Sequence, residues 1–267
     1  MIAPGSDRLV IGTSWKMNLT PSQAASWLAI ARPLLEPLAA TRDLFVLPPF
    51  PAIHVARDGL AGSAIGWGGQ DIHPDDAGAH TGDVSGAMLA DLGCRYAEIG
   101  HSERRRDHCE TDDVVAAKVG AALRWNLTPV VCVGERDAGP VRPARVSVEA
   151  QLAGAFGGLE PVDLDRIVVA YEPVWAIGVG AAAADPAHVA ALHGSIVTWL
   201  QDRGARRVRV MYGGSVDERN AAELLATDAV AGLFVGRAAL DPERFAAIAA
   251  TSVDVDRRGS PALERSA

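Results

Sequence analysis

Short apolar runs recur along this chain, each followed by a longer stretch in which apolar residues return at helical spacing. The runs fall at residues 9–13, 44–47, 64–67, 96–99, 129–133, 167–170, 208–211 and 232–235, and they are rich in Val and Ile. They are apolar on both faces, which predicts strands of a parallel sheet covered on both sides. Helix-start signals lie between them. Thr20-Pro21 opens one helix, Asp185-Pro186 another before residues 188–201, and Asp241-Pro242 a third before residues 244–250. Thr and Asp accept from the free amides of a first helical turn, and Pro there loses no hydrogen bond. Residues 120–125 and 221–226 carry Ala and Leu at helical spacing.

Strands alternating with helices imply right-handed βαβ units and a parallel sheet. Eight such units in one chain of this length predict an α/β fold, a closed (β/α)8 barrel with helices outside, as a single domain over residues 1–251. Residues 252–267 are polar, carry Pro261, and are expected to be a tail. An open doubly wound sheet is the alternative. It is disfavoured because no G-x-G-x-x-G follows the first strand, where Gly12 precedes Thr13-Ser14-Trp15-Lys16.

Composition narrows the function classes. The 267 residues are 49% hydrophobic, enough for a large core. No apolar run approaches the roughly 20 residues of a membrane span. Residues 1–7 lack the basic and apolar regions of a signal peptide, so a cytoplasmic protein with no membrane partner is expected. A net charge of −8 argues against nucleic acid, and Arg104-Arg105-Arg106 is too short a basic cluster to change that. Cys94, Cys109 and Cys132 form no CxxC pair and read as free thiols. The remaining histidines show no metal-ligand spacing, so neither a metal nor a cofactor is expected.

In a barrel, the residues that follow each strand build the site. Here Ser14-Trp15-Lys16-Met17-Asn18 follows the first strand and Gly100-His101-Ser102-Glu103-Arg104 the fourth. Tyr171-Glu172-Pro173-Val174-Trp175-Ala176-Ile177-Gly178 follows the sixth, Tyr212-Gly213-Gly214-Ser215-Val216 the seventh and Gly236-Arg237 the eighth. A lysine, a histidine and a glutamate thus converge with glycine-rich turns, which let backbone amides approach a phosphate. Such a set suits proton transfer next to a carbonyl.

From about residue 10 to 248, the runs WKMN, GHSERR, YEPVWAIG and YGGSV, in that order, resemble the triosephosphate isomerase family. The resemblance implies interconversion of dihydroxyacetone phosphate and D-glyceraldehyde 3-phosphate through a cis-enediolate. It implies Glu172 as base, His101 as neutral electrophile and Lys16 as the cation drawing in the substrate. Gly178, Ser215, Gly236 and Arg237 resemble the phosphate cradle, with Ser14 beside the substrate. Residues 173–183 resemble a mobile lid whose leading part is Pro173, Val174, Trp175, Ala176, Ile177, Gly178, Val179 and Gly180. Thr81 resembles the tip of a loop that enters a neighbouring subunit, which implies a homodimer, or a tetramer.

Four positions depart from the family pattern. Ser14 stands where Asn is usual, Arg237 where a second Gly is usual, and Asp71 where Asn is usual, while Ala181-Ala182-Ala183 replaces a lysine-containing lid hinge. Ser14 and Arg237 also resemble a sister branch that interconverts L-erythrulose 1-phosphate and D-erythrulose 4-phosphate, with Ser14 leaving room for one more hydroxymethyl group. A catalytically silent barrel that only binds sugar phosphates is a third reading, and intact Lys16, His101 and Glu172 argue against it.

Overall fold

A computed structural model describes residues 8–178 and 180–252. Eight parallel strands close into a barrel in the order of the chain. They are β1 (Val10–Ser14), β2 (Asp43–Leu47), β3 (Gly66–Gly69), β4 (Tyr96–Ile99), β5 (Thr128–Val133), β6 (Val168–Tyr171), β7 (Val210–Tyr212) and β8 (Gly232–Val235). Closure is made by β1 pairing with β8, Val10 opposite Gly232 and Thr13 opposite Val235. That pairing closes the sheet on itself and leaves none of these eight strands as an edge, which excludes the open doubly wound alternative.

Helices surround the barrel: α1 (Pro21–Leu35), α2 (Ile53–Leu60), α3 (Gly86–Asp91), α4 (Ser102–Asp107) and α5 (Asp112–Arg124) in the first half. The second half adds α6 (Val141–Phe156), α7 (Pro161–Leu164), α8 (Pro186–Gln201), α9 (Ala221–Ala226) and α10 (Pro242–Ala250). The start signals act as the sequence predicts. Thr20 accepts from the Gln23 amide while Gln23 reaches back to the Thr20 amide, and Asp185 and Asp241 cap α8 and α10. None of the described helices is long and apolar enough to cross a membrane.

Two apolar layers follow from two-sided strands. Inside the barrel pack Val10, Phe45, Leu47, Tyr96, Val168 and Met211 among others, with Phe45 stacked on Tyr96 at 4.3 Å. Between barrel and helices lies the larger layer, including Ile11, Val46, Ile99, Val131, Val169 and Leu233. Alternate residues of one strand thus serve different layers. Gly12 is required by this filling, because a Cβ there would lie 2.1 Å from the Phe45 ring.

Strand boundaries move by one or two residues from the sequence expectation. The largest change is β3, expected at residues 64–67 and found at Gly66–Gly69. Its residues Gly66, Gly68 and Gly69 carry no apolar signal, and the chain is a strand there because β2 and β4 flank it. The tail from residue 253 onward and the lid residue Val179 lie outside the described residues.

Candidate active site

The strand ends and the turns after them meet at one cavity of about 580 Å³. Ser14, Lys16, His101 and Glu172 line it from one side, and Gly178, Ser215, Gly236 and Arg237 from the other. The sequence had placed all eight here. Thr81, by contrast, is exposed on the loop between β3 and α3 and lines no part of this chain's cavity.

Lys16 sits just past β1 with φ of 52°, a left-handed conformation that costs a side-chain-bearing residue about 1 kcal/mol. Neighbours hold it there. The Gln70 side-chain amide donates to the carbonyls of Lys16 and Leu47, and Asn18 donates to the Trp15 carbonyl. The ammonium donates to Glu103 Oε1 at 2.7 Å. Burial pulls its pKa down, but the Glu103 bond and the charges of Glu172, Glu103 and Glu98 outweigh that and raise it. Lys16 is therefore a cation throughout the physiological range.

His101 is the N-cap of α4, reached from β4 through Gly100 with φ of 71°. Its Nδ1 accepts the Glu103 backbone N–H at 3.1 Å. A neutral imidazole with Nδ1 accepting carries its proton on Nε2, and Nε2 faces Glu172 Oε2 at 3.3 Å. Burial, then the Lys16 charge, lowers the His101 pKa to about 4. The start of a helix also disfavours a charged imidazole at its N-cap. In the structure desolvation is the larger cause, and the helix contributes the single amide that fixes the tautomer.

Glu172 follows β6 directly, its amide donating to the Val133 carbonyl at 2.8 Å. It is buried, and its Oε2 has no hydrogen-bond partner. Burial, then the Glu98 charge, raises its pKa to about 8, against the opposing pull of Lys16 and of the Cys132 thiol, which donates to it. A buried carboxylate oxygen that accepts no hydrogen bond holds a proton more strongly than a solvated one. Gly213 makes room for it, since a Cβ there would lie 2.6 Å from Glu172 Cγ.

The sequence reading missed several supporting residues. Glu98, on β4, is buried and takes a 2.7 Å hydrogen bond from Ser14 Oγ, and burial raises its pKa to about 7. Cys132 had been read only as a free thiol. Glu135 collects Tyr171 Oη at 3.0 Å, Trp175 Nε1 at 2.8 Å and His188 Nε2 at 3.0 Å. The one available signal was that YEPVW contains two aromatic polar tips that need an acceptor when buried.

Through Trp175 and the Val174 amide, Glu135 fastens the first turn after Glu172. At the other wall Ser215 Oγ donates to the carbonyls of Ala176 and Ala181, and its amide also donates to Ala176. Gly178 and Gly180, with φ of 117° and 79°, supply the turns between.

One histidine cluster escaped the spacing rules. His73, Asp75 and His80 bring potential metal-ligand atoms within 4.8 Å of one another on the loop that carries Thr81. His73 Nδ1 accepts the Asp75 amide, which puts its proton on the Nε2 that faces Asp83. In that tautomer the His73 ring offers no lone pair to a cation.

Comparison with known proteins agrees with this geometry. The family model for triosephosphate isomerase matches residues 9–252. The chain is 45% identical over 249 residues to the triosephosphate isomerase of Thermus thermophilus, covering 90% of this chain and 97% of that one. To the Mycobacterium tuberculosis triosephosphate isomerase it is 44% identical over 255 residues, covering 92% and 97%. A crystal structure of triosephosphate isomerase from Bartonella henselae superposes with a TM-score of 0.78 at 35% identity, over 90% of this chain and 97% of that one. These relatives lend no support to the four-carbon reading or to the silent barrel.

Proposed function

Since the chain belongs to the triosephosphate isomerase family and interconverts dihydroxyacetone phosphate and D-glyceraldehyde 3-phosphate, we propose that Glu172, His101 and Lys16 carry that reaction. Glu172, ionised, removes a proton from the carbon beside the carbonyl. His101 donates its Nε2 proton to the carbonyl oxygen as charge develops there, and Lys16 balances the negative charge of the enediolate. The proton on Glu172 then returns to the neighbouring carbon, and His101 recovers a proton from the adjacent hydroxyl. Every proton is returned, so neither metal nor cofactor is required.

The observation that supports these roles best is the pairing in one cavity of a buried carboxylate whose Oε2 accepts no hydrogen bond and a neutral imidazole whose Nε2 lies 3.3 Å from that oxygen. Backbone groups around Gly178, Ser215, Gly236 and Arg237 hold the substrate phosphate. Ser14 lies at the reacting end, where its hydroxyl is turned to Glu98. Residues 173–183 act as the lid, held here by Trp175 on Glu135 and by Ser215 on Ala176 and Ala181. Exclusion of water protects an intermediate that otherwise loses phosphate. Thr81, exposed at its loop, reaches a second copy of the chain, which makes the protein a homodimer. A cytoplasmic location fits a substrate that is a phosphorylated metabolite.

The direct test is E172Q, which keeps the shape and removes the base. Its kcat/KM on D-glyceraldehyde 3-phosphate should fall by at least about 100-fold, with thermal unfolding showing an intact fold. Activity within a few-fold of the unmodified protein would assign the base elsewhere.

A further inference from the structure

The cavity extends beyond the catalytic cluster. It runs from Glu172, His101 and Lys16 past Ser215 to an outer wall that includes Arg219, Arg237 and Arg244. Two of these arginines are already neutralised. Arg219 Nε donates to Asp217 at 2.9 Å, and Arg244 grips both Glu218 oxygens at 2.6 and 2.8 Å. Arg237 is exposed, and its guanidinium makes no hydrogen bond or ion pair among the described residues. It belongs to the turn after β8 whose backbone lies at the proposed phosphate position. Among the described cations that line this cavity, Arg237 is thus the one without a counter-charge, and its backbone belongs to the turn read as the phosphate cradle.

We propose that the Arg237 guanidinium forms a second anion position, adjoining the phosphate cradle, which takes the outer phosphoryl group of a diphosphate. This rests on the cradle reading above and extends it to a ligand class that competes with substrate. Two phosphoryl groups sharing one bridging oxygen stay close enough for the inner one to occupy the cradle while the outer one meets the planar guanidinium fork, whose paired donors match phosphoryl oxygens. The neutralised neighbours leave this cation free to discriminate a doubly phosphorylated ligand from a singly phosphorylated one. Because Arg237 is exposed, salt weakens the contact, with a screening length of about 8 Å at physiological ionic strength.

The experiment measures competitive inhibition of D-glyceraldehyde 3-phosphate isomerisation by pyrophosphate, inorganic phosphate and 2-phosphoglycolate at one fixed ionic strength. The unmodified protein should bind pyrophosphate at least about fivefold more tightly than phosphate, a difference of roughly 1 kcal/mol. In R237Q that ratio should collapse towards one, while R219Q, which removes a neutralised arginine from the same wall, should keep it. A ratio unchanged in R237Q, or lost equally in R219Q, would overturn the proposal, since general rim charge would then account for it. If 2-phosphoglycolate competes normally, such a result removes only the second position. If it does not compete even with the unmodified protein, the cradle reading and this proposal fall together.

Discussion

Two buried carboxylates face one cavity, and they set the pH behaviour of the site. Glu172 is raised to about 8 by burial and by the Glu98 charge, and Glu98 is raised to about 7 by its own burial. As the proposed base, Glu172 must be ionised, so kcat/KM should fall as pH drops through about 8, well above the ordinary carboxylate range. E98Q removes the charge that holds Glu172 up, so the acid limb of the pH–rate profile should move to lower pH. A limb that stays in place would deny the coupling. Linkage gives a second readout. Each carboxyl binds its proton in the folded state at pH values where the unfolded chain has lost it, so these groups cost stability progressively from about 4.5 to 8. E172Q should therefore unfold at higher denaturant than the unmodified protein at pH 8 and show a smaller difference at pH 5. The buried histidines act in the opposite direction. His101 and His193 are both lowered to about 4, chiefly by burial, so stability should decline as pH falls from 6.5 towards 4. In H193Q that decline should be shallower, as urea midpoints across this range would show.

At the scale of elements, each side chain proposed to act in catalysis is aimed by the junction it occupies. His101 owes its position to a strand end, a left-handed Gly100 and the first turn of α4. G100A places a Cβ 3.0 Å from Val115 Cγ2 in a conformation that L residues resist. It should cost about 1–2 kcal/mol and lower kcat more than a substitution of equal cost elsewhere, because the tautomer-fixing amide moves with the turn. T20A is the matching control. It removes the α1 capping box at a cost of about 1 kcal/mol at a residue outside the cavity lining, and should leave kcat/KM unchanged. If the two variants lose activity in the same proportion to stability, the junction does not position His101.

The whole barrel is a packed solid whose interior tolerates little change in volume. Gly12 and Phe45 fill one place between them, with the ring where a Cβ would stand. G12A should destabilise the fold by about 1–3 kcal/mol through overpacking, and F45L should destabilise it by leaving space. Combined, the two should be less costly than their sum, because the smaller side chain yields the room that the new methyl needs. Additive losses in denaturant unfolding would mean that the two positions do not share that space. Such rigidity serves the site, since Ser14 on β1, Glu98 on β4 and Glu172 after β6 reach the cavity from strands spread around the barrel, and Cys132 on β5 supports Glu172.

Periodicity alone specified eight strand–helix units, because strands buried on both faces must be apolar throughout and helices must start where their amides are capped. Lys16, His101, Glu172 and the glycine-rich turns were legible for a related reason: chemistry at strand ends leaves polar and glycine residues at abrupt breaks after apolar runs. Three things were decided only in three dimensions. Closure was expected from the count of units, but the register of β1 on β8, a contact between chain ends, is one that no local pattern encodes. The glycine-rich β3 is a strand only because its neighbours offer a hydrogen-bonding edge on each side. The partners that tune the site, Glu98 for Ser14, Cys132 for Glu172 and Glu135 for Trp175, lie 84, 40 and 40 residues away along the chain. Burial, which moves the pKa values of Glu172 and His101 furthest, is a property of the folded interior, so the sequence names the reacting groups and the packing sets their protonation.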